Sequence, residues 1–232
     1  AIIELVAGKR YGSIYGYAPL KDSTGKQVYD PTGIPQHTAS PVFLGNGEYN
    51  MIVGLRNTFT YKNFSFYFLI DGKFGAEIYS QTNYMAYEDG QSKATLPGRE
   101  KGLDVSGVSS ADGKPVNIHI RGYNDATTNT GIISIVDYYE ELAHTTAVNM
   151  YNGDFIKLRE VSLGYKFPNT FFNRVGISNI TVSVVARNLL NLMDHIPNVD
   201  PESIFSTGNA QGLERLAFPV TREFGLKINL NF

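Results

Sequence analysis

Residues 224–232 alternate strictly between apolar and polar side chains. The apolar positions are Phe224, Leu226, Ile228, Leu230 and Phe232, and the positions between them are polar or glycine. Because successive side chains of a strand point to opposite faces, one face of this segment is apolar and the other is polar. Such a segment, stopping on an aromatic residue, is typical of a tilted strand of a transmembrane β-barrel, with lipid on one side and a lumen on the other.

Earlier segments carry similar strand patterns. The six predicted strands cover about 2–17, 49–61, 64–76, 149–167, 179–190 and 214–232. Long connections at 18–48, 77–148 and 191–213 alternate with short turns at Lys62-Asn63 and 168–179, which places the long ones on the outer side of a membrane. The sequence therefore predicts an all-β fold: an antiparallel transmembrane β-barrel segment of about six strands with long extracellular loops.

Six strands are too few to close a barrel, because bacterial barrels start at about eight strands. An open sheet of this size leaves two unpaired edges in hydrocarbon, where unpaired backbone groups are costly. Either the chain is one wall of a larger barrel, or the membrane interpretation is wrong. The alternative is an independently folded surface β-domain for carbohydrate binding or adhesion, which would be a soluble monomer without detergent.

Composition supports the barrel and excludes several other classes. Only 18% of residues are charged and 15 are Tyr, and tyrosine suits the aromatic girdles at membrane surfaces. The chain contains no run of 18 or more apolar residues, so the sequence predicts no membrane helix. The net charge of −2 gives no basic field for nucleic acid, and the absence of cysteine excludes disulfides and thiolate sites. The chain opens at Ala1 in a predicted strand without a signal peptide, which indicates a mature or truncated product.

The residues give no support for catalysis or for a cofactor. The four histidines lack metal-ligand spacing, and the chain has no HExxH, P-loop, GxGxxG or GxSxG motif. Asp71 and Lys73 share a strand face with Tyr67. We interpret these three as polar residues that line the lumen rather than as catalytic groups, and we expect no enzyme activity.

Several blocks, in order along the chain, resemble the C-terminal part of the SusC/RagA family of TonB-dependent outer-membrane transporters. The blocks are Tyr15-Gly-Tyr17, Asp22-x-x-Gly25-Lys26, Gly33-x-Pro35, Gly54-x-x-Asn57-Thr-Phe-x-Tyr61-Lys62, Ile70-Asp71 with Gly75, Asp154-Phe-Ile-Lys-Leu158-Arg159-Glu-Val-Ser-Leu163-Gly164-Tyr165, Arg187-Asn188-Leu189-Leu190, Asp200-Pro201-Glu202, Phe218-Pro219-x-x-Arg222 and the final Phe232. No single block is diagnostic, but the ordered series from about residue 11 to 232 is highly specific.

The resemblance implies a plugged 22-stranded barrel in a Gram-negative outer membrane of the Bacteroidetes type. It implies import of oligosaccharides or oligopeptides, coupled to TonB, with a SusD-like surface lipoprotein as a hinged lid on the outer loops. The implied partners are therefore the remainder of the same barrel and its plug, the lipoprotein lid and outer-membrane lipid. The N-terminal domain, plug, TonB box and earlier strands of the family have no counterpart among these 232 residues, so we expect TonB to be reached only through those other parts and these residues alone to transport nothing.

The largest predicted loop, 77–148, is the expected place for substrate or lid contacts. The candidates are Tyr84, Tyr87, Arg99, Arg121, Tyr123, Tyr138 and Tyr139, since aromatic and arginine side chains stack on sugars and grip peptide backbones. The alternative is a loop packed on its own aromatic residues. A short helix is predicted at 137–142.

The terminal strand carries a second candidate function. Its alternating apolar residues resemble the signal that the barrel-assembly machinery reads on its substrates. The candidate signal residues are Phe224, Gly225, Leu226, Ile228, Leu230 and Phe232. The alternative, that they form only the lipid-facing wall, does not exclude the signal.

Overall fold

A computed structural model describes residues 1–125, 133–168, 179–203, 208 and 210–231. The strands are β1 (Ile2–Glu4), β2 (Ser13–Gly16), β3 (Val28–Tyr29), β4 (Val42–Asn46), β5 (Met51–Tyr61), β6 (Phe64–Phe74), β7 (Glu77–Ser80), β8 (Leu103–Ser109), β9 (Pro115–Ile120), β10 (Met150–Asn152), β11 (Phe155–Phe167), β12 (Asn179–Met193), β13 (Leu213–Glu214) and β14 (Glu223–Asn231). The helices are α1 (Gln81–Glu88) and α2 (Ile135–His144), with 3₁₀ turns at Lys93–Thr95 and Thr146–Asn149. These elements form one large sheet, called the wall, and an outer region of three small sheets and both helices.

The wall contains the long strands in the order β14-β12-β11-β6-β5, and all neighbouring pairs are antiparallel. Strands β5 and β6 form the predicted hairpin, in which Tyr61 pairs with Phe64 across the turn. Lys62 in that turn has a φ of 52°, the left-handed conformation that tight hairpin turns use. The hairpin predicted from the two alternating patterns is therefore present at the predicted turn.

One face of the wall is apolar across all five strands. A single cross-strand row consists of Phe59, Phe66, Leu163, Val184 and Leu226. These side chains expose between 39% and 65% of their surface, although they belong to the most apolar residue types. An exposed apolar patch that spans a whole sheet is the surface that hydrocarbon covers in a membrane barrel.

The opposite face of the wall is polar. The neighbouring row consists of Thr60, Ser65, Gly164, Ser183 and Lys227. Gly164 leaves room for the two serine hydroxyls, because a Cβ atom there would lie 2.6 Å from Ser65 Oγ and 2.7 Å from Ser183 Oγ. The wall is thus amphipathic in the sense that the alternation predicts, with this face toward a lumen.

A β-bulge in β11 keeps the apolar positions on one face. The register shifts between Leu158 and Glu160 against both neighbouring strands: Arg159 is an extra residue against β6, whereas against β12 the extra residue belongs to β12. Apolar residues therefore occur at Leu158 before the bulge and at Val161 after it, an odd spacing that would otherwise put them on opposite faces. The bulge also turns Arg159 toward the polar face, where it contacts Asp71.

The wall has two free edges within the part of the chain that the structure describes, one on β5 and one on β14. Both strands are exposed along their whole described length. Unpaired backbone groups cannot stay in hydrocarbon, so both edges require further strands as neighbours.

The outer region has a small core of its own. Its buried apolar members are Tyr29, Ile120, Ile133, Ile135, Tyr138 and Tyr139. Helix α2 supplies three of these residues, and it begins at Ser134, whose hydroxyl accepts a hydrogen bond from the Asp137 amide at 3.2 Å. Among the described residues no helix is long and apolar enough to cross a membrane. The predicted loop 77–148 therefore contains strands and helices, including a helix over the predicted 137–142.

The predicted strand 2–17 is wrong as a member of the wall. It is divided into β1 and β2, which pair with each other and with β4 in a separate sheet. Gly8 and Gly12 have positive φ and interrupt the segment, and Ile14 is fully buried rather than lipid-facing. Glycines that break a strand pattern remove the regular alternation that a spanning strand needs.

Two other predicted strands are too long. Segment 149–167 is interrupted at residues 153–154, so β10 pairs with β7 in the outer region while β11 lies in the wall. In the predicted strand 214–232, the part before β14 leaves the wall: Glu214 pairs with Ser80 in the outer region. Pro219 precedes β14, and proline cannot donate to a strand ladder.

The two faces of β11 predict opposite tolerance to charge. In the complete protein that contains this chain, Leu163→Lys places an ammonium against hydrocarbon and is expected to destabilise the barrel by about 2–4 kcal/mol. Ser162→Lys, one position away on the polar face, is expected to leave stability almost unchanged. Heat-modified mobility of the folded barrel on gels measures both, and equal losses would contradict the assignment of faces.

Candidate functional site

Six charged residues meet at the end of the polar face that adjoins the outer region. Two come from β6, two from β11, and two from the segment after β12, and together they are called the charge cluster. Its members are Asp71, Lys73, Lys157, Arg159, Asp200 and Glu202. Three positive and three negative charges make the cluster electrically neutral.

Lys157 is the buried centre of the charge cluster. Only 2% of the residue is exposed, and its Nζ donates to Asp200 and, at 3.1 Å, to Glu202 Oε2. The ammonium also lies 5.2 Å from the centre of the Phe155 ring. A buried ammonium is tolerated only when it is paired, so Lys157 and the two carboxylates depend on one another.

Glu202 joins the two wall strands to the segment after β12. Its Oε1 accepts a hydrogen bond from Arg159 Nη2 at 2.5 Å and lies 3.4 Å from Lys73 Nζ. Arg159 Nε in turn donates to Asp71 Oδ1 at 2.7 Å, which closes a network across β6 and β11. Three cations therefore face one carboxylate.

The neighbouring cations determine the ionisation state of the Glu202 carboxyl group. Burial alone raises the pKa of its carboxyl group, but the hydrogen bond from Arg159 and the positive charge of Lys157 outweigh burial and lower the pKa to about 2. The carboxylate is thus ionised at every physiological pH. A group so firmly ionised cannot act as a general acid, and the geometry is that of a clamp rather than of a catalytic pair.

The structure separates the predicted loop contacts into two sets. Tyr138 and Tyr139 are each only 7% exposed, and Tyr87 packs edge-on against Tyr139 with ring centres 5.7 Å apart. These three tyrosines lie in or against the core of the outer region, as expected for a loop packed on its own aromatic residues. Of the three, Tyr139 also lines a cavity of about 360 Å³.

The other predicted contacts lie nearer the surface. Tyr123 is 80% exposed, and it lines two adjoining cavities of about 360 and 440 Å³. Arg99 lines the first cavity and Arg121 the second. Tyr84 instead donates a hydrogen bond to Glu88 at 2.9 Å within α1. The structure therefore brings Arg99, Arg121 and Tyr123 together around one surface depression.

The predicted assembly-signal residues lie along β14. Phe224, Leu226, Ile228 and Leu230 pair with apolar residues of β12 on the lipid-facing side, and Gly225 pairs with Val185. The four apolar side chains are 46% to 73% exposed. Phe232 lies outside the described residues.

Sequence reasoning missed the charge cluster as a unit. The sequence predicts Asp71 and Lys73 as lumenal residues, but Lys157, Arg159, Asp200 and Glu202 stand out only as parts of the blocks that resemble the transporter family. The sequence indicates the cluster only through two cations of β11, Lys157 and Arg159, which lie on the polar side of the strand beside the bulge. Their carboxylate partners lie more than 40 positions away, and no local pattern reveals that pairing.

No protein-family model matches the chain. Two curated relatives are the TonB-dependent receptors P3 and P26 of Formosa agariphila. Each is 25% identical, over 256 and 240 aligned residues, and each alignment covers 97% of this chain. It covers only 22% and 20% of those receptors, so the chain spans about a fifth of their length.

Two similar solved structures are those of the RagAB peptide importer in its closed-closed and open-open states. Both have a TM-score of 0.57 and cover 95% of this chain, at 15% and 16% identity, and 23% and 22% of those chains. At that identity the likeness shows the fold. The predicted resemblance to SusC/RagA-type TonB-dependent transporters is confirmed, as is the antiparallel sheet predicted for a segment of such a barrel.

Removing the buried cation is expected to destabilise the wall. Lys157→Met removes the cation paired with Asp200 and one of the three cations that face Glu202, and breaking a buried ion pair costs about 3–5 kcal/mol. Lys166→Met, an exposed lysine on the same strand, is the matched control and is expected to change stability by less than about 0.5 kcal/mol. Urea unfolding of the complete barrel in detergent measures both variants. Equal midpoints would show that the charge cluster does not stabilise the wall.

The pKa of Glu202 predicts the direction of an acid effect. Because its pKa falls from 4.5 to about 2 on folding, its stabilising contribution is complete above about pH 4.5 and is lost as the pH falls toward 2. The stability difference between the natural protein and Glu202→Gln is therefore expected to be larger at pH 7 than at pH 2.5. Unfolding midpoints at the two pH values measure it, and a difference that grows in acid would contradict the clamp.

Proposed function

We propose that the chain forms part of the wall and the outer loops of a TonB-dependent nutrient importer in the outer membrane of a Gram-negative bacterium of the Bacteroidetes type. The observation that carries the proposal is the wall itself: an amphipathic antiparallel sheet with an exposed apolar face and two edges that need neighbours. The similarity to TonB-dependent receptors along 97% of the chain supports it. The remaining barrel strands and the plug complete the importer, and TonB acts through those other parts.

The substrates that fit are oligosaccharides or oligopeptides. The lumenal face carries hydroxyl, amide and charged groups rather than an apolar lining, which suits a hydrated polymer. The depression around Tyr123 adds an exposed aromatic ring between Arg99 and Arg121, and such groups stack on sugar rings or bind peptide carbonyls. The proposal assigns the chain no catalytic reaction and no cofactor.

A SusD-like surface lipoprotein is the proposed lid. Leu96, Tyr123 and Val136 are 56%, 80% and 49% exposed on the outer region, where a partner would cover them. Exposed apolar and aromatic residues of this kind mark protein contact surfaces. The lid contact and the substrate contact then share one surface, since Tyr123 and Val136 also line the cavities.

The β14 residues serve a second purpose before transport begins. Their alternation of exposed apolar side chains supports recognition by the barrel-assembly machinery in addition to lipid contact. The proposed signal comprises Phe224, Gly225, Leu226, Ile228, Leu230 and Phe232.

A surface module for carbohydrate binding or adhesion is less well supported. Such a module buries its apolar sheet face in a core, whereas Phe224 and Leu226 remain 73% and 65% exposed in this wall.

The importer proposal predicts a loss of uptake when the outer depression is altered. In the complete transporter, Tyr123→Ala removes the exposed ring and is expected to lower substrate uptake roughly 2- to 5-fold, since a contact between a ring and a cation contributes about 0.5–1 kcal/mol at exposed sites. Tyr123→Phe keeps the ring and is the matched control, with uptake close to normal. Fluorescent oligosaccharides and oligopeptides are supplied separately to cells with equal surface levels of each variant. Uptake of neither class, or uptake that persists without TonB, would reject the importer.

A further inference from the structure

The segment 194–203 contacts both the outer region and the wall within a few residues. It is called the strap, and it follows directly on the last residue of β12. Ile196 and Pro201 within it are almost fully buried, at 3% and under 2% exposure. Two buried residues therefore anchor the strap, while residues 194, 195, 197 and 198 remain exposed.

The first half of the strap holds helix α1. Asn83 of α1 is 4% exposed, and its Nδ2 donates to the Pro197 carbonyl at 2.8 Å. Asn198 Nδ2 returns a hydrogen bond to Asn83 Oδ1 at 2.9 Å. Asn198 adopts a φ of 68°, a conformation that asparagine tolerates better than most residues and that turns the chain toward the helix.

The second half of the strap holds the wall. Asp200 and Glu202 provide two of the three carboxylates of the charge cluster, and the Glu202 amide donates to Asp200 Oδ1 at 2.9 Å, which fixes their spacing. The Pro201 carbonyl also accepts a hydrogen bond from Tyr49 OH at 3.4 Å. Only one residue separates the amide that binds α1 from the first carboxylate that binds Lys157.

Other connections also join the wall and the outer region. The chain passes between them at residues 47–50, 75–76 and 153–154, and the second passage leads through β7 to Ser80, the N-cap of α1. Glu214, which is 1% exposed, binds the start of α1 through Ser80 Oγ at 2.7 Å, and it belongs to β13 of the outer region. The strap adds side-chain contacts that link Asn83, on the buried face of α1, to the wall.

We infer that the strap is a rigid link which sets the position of α1, and of the cavity beside it, relative to the lumenal wall. The end of α1 lines the 360 Å³ cavity through Glu88, Asp89 and Gly90. Asn198 and Glu202 are positioning residues, because they act on that cavity through α1. This role rests on the proposed importer for its purpose, but the link itself is a property of the fold.

The test measures the distance between α1 and the wall. The 232 residues contain no cysteine, so spin labels are placed at Met85→Cys, on an exposed face of α1, and at Thr58→Cys, on the wall, in an otherwise cysteine-free complete transporter. Asn198→Gly removes the amide but keeps the left-handed backbone, and Glu202→Gln removes the charge at the other end. Each is expected to at least double the width of the electron–electron distance distribution.

Two controls isolate the strap. Asn117→Ala removes an exposed amide that binds Ser106 in the outer sheet, and Glu160→Gln removes an ion pair with Arg187 on the wall. Both are expected to leave the distribution unchanged. Since Asn198 and Glu202 belong to one link, their combination is expected to broaden the distribution no more than either change alone.

An unchanged distribution in Asn198→Gly, with a barrel that still migrates as folded, would overturn the link, and this variant decides alone if Glu202→Gln fails to assemble. The outcome is independent of transport. A broadened distribution in a protein that imports neither oligosaccharides nor oligopeptides keeps the link and rejects the importer. A normal distribution with normal uptake rejects the link and keeps the importer.

Discussion

The structure depends on one constraint: in hydrocarbon, the backbone hydrogen-bonding groups of an extended strand find partners only on a neighbouring strand. The five wall strands satisfy it through antiparallel ladders, and the apolar row through Leu163 places only nonpolar side chains toward lipid. The same constraint leaves the edges of β5 and β14 incomplete. The wall is therefore stable only as part of a closed barrel, and its amphipathic faces make sense only with lipid on one side and water on the other.

Part of this arrangement was predictable from the sequence, since it is encoded locally. Alternation at Phe64–Phe74 and at Glu223–Asn231 fixes which side chains share a face, and a two-residue turn fixes the β5–β6 register. The prediction of a spanning strand at 2–17 is wrong, because the segment contains many β-favouring residues but does not join the wall. Gly8 and Gly12 argue against a continuous spanning strand, and Ile14 is buried within the protein instead of facing lipid.

The candidate site was less predictable, because its contacts are non-local. Nothing near Lys157 in the sequence indicates that Asp200 and Glu202 will neutralise it, and nothing near Tyr138 separates a core tyrosine from an exposed one such as Tyr123. The sequence predicts a loop at 77–148 because the strands of this part of the outer region are short. Its core assembles from segments that are distant in sequence, so hydrophobic periodicity is weak in each of them.

The charge cluster shows why a neutral ionic network suits this position better than an apolar contact. Buried ion pairs add little net stability, because desolvation offsets their attraction. A buried charge that has lost its partner, however, is strongly destabilising. An apolar contact specifies no particular polar partner, whereas Glu202 contacts both Arg159 and Lys157 in this arrangement. The β-bulge is part of the same solution, since it turns Arg159 toward the lumen without exposing a charge to lipid. The cluster thus fixes the geometry of the outer region more than it strengthens the barrel.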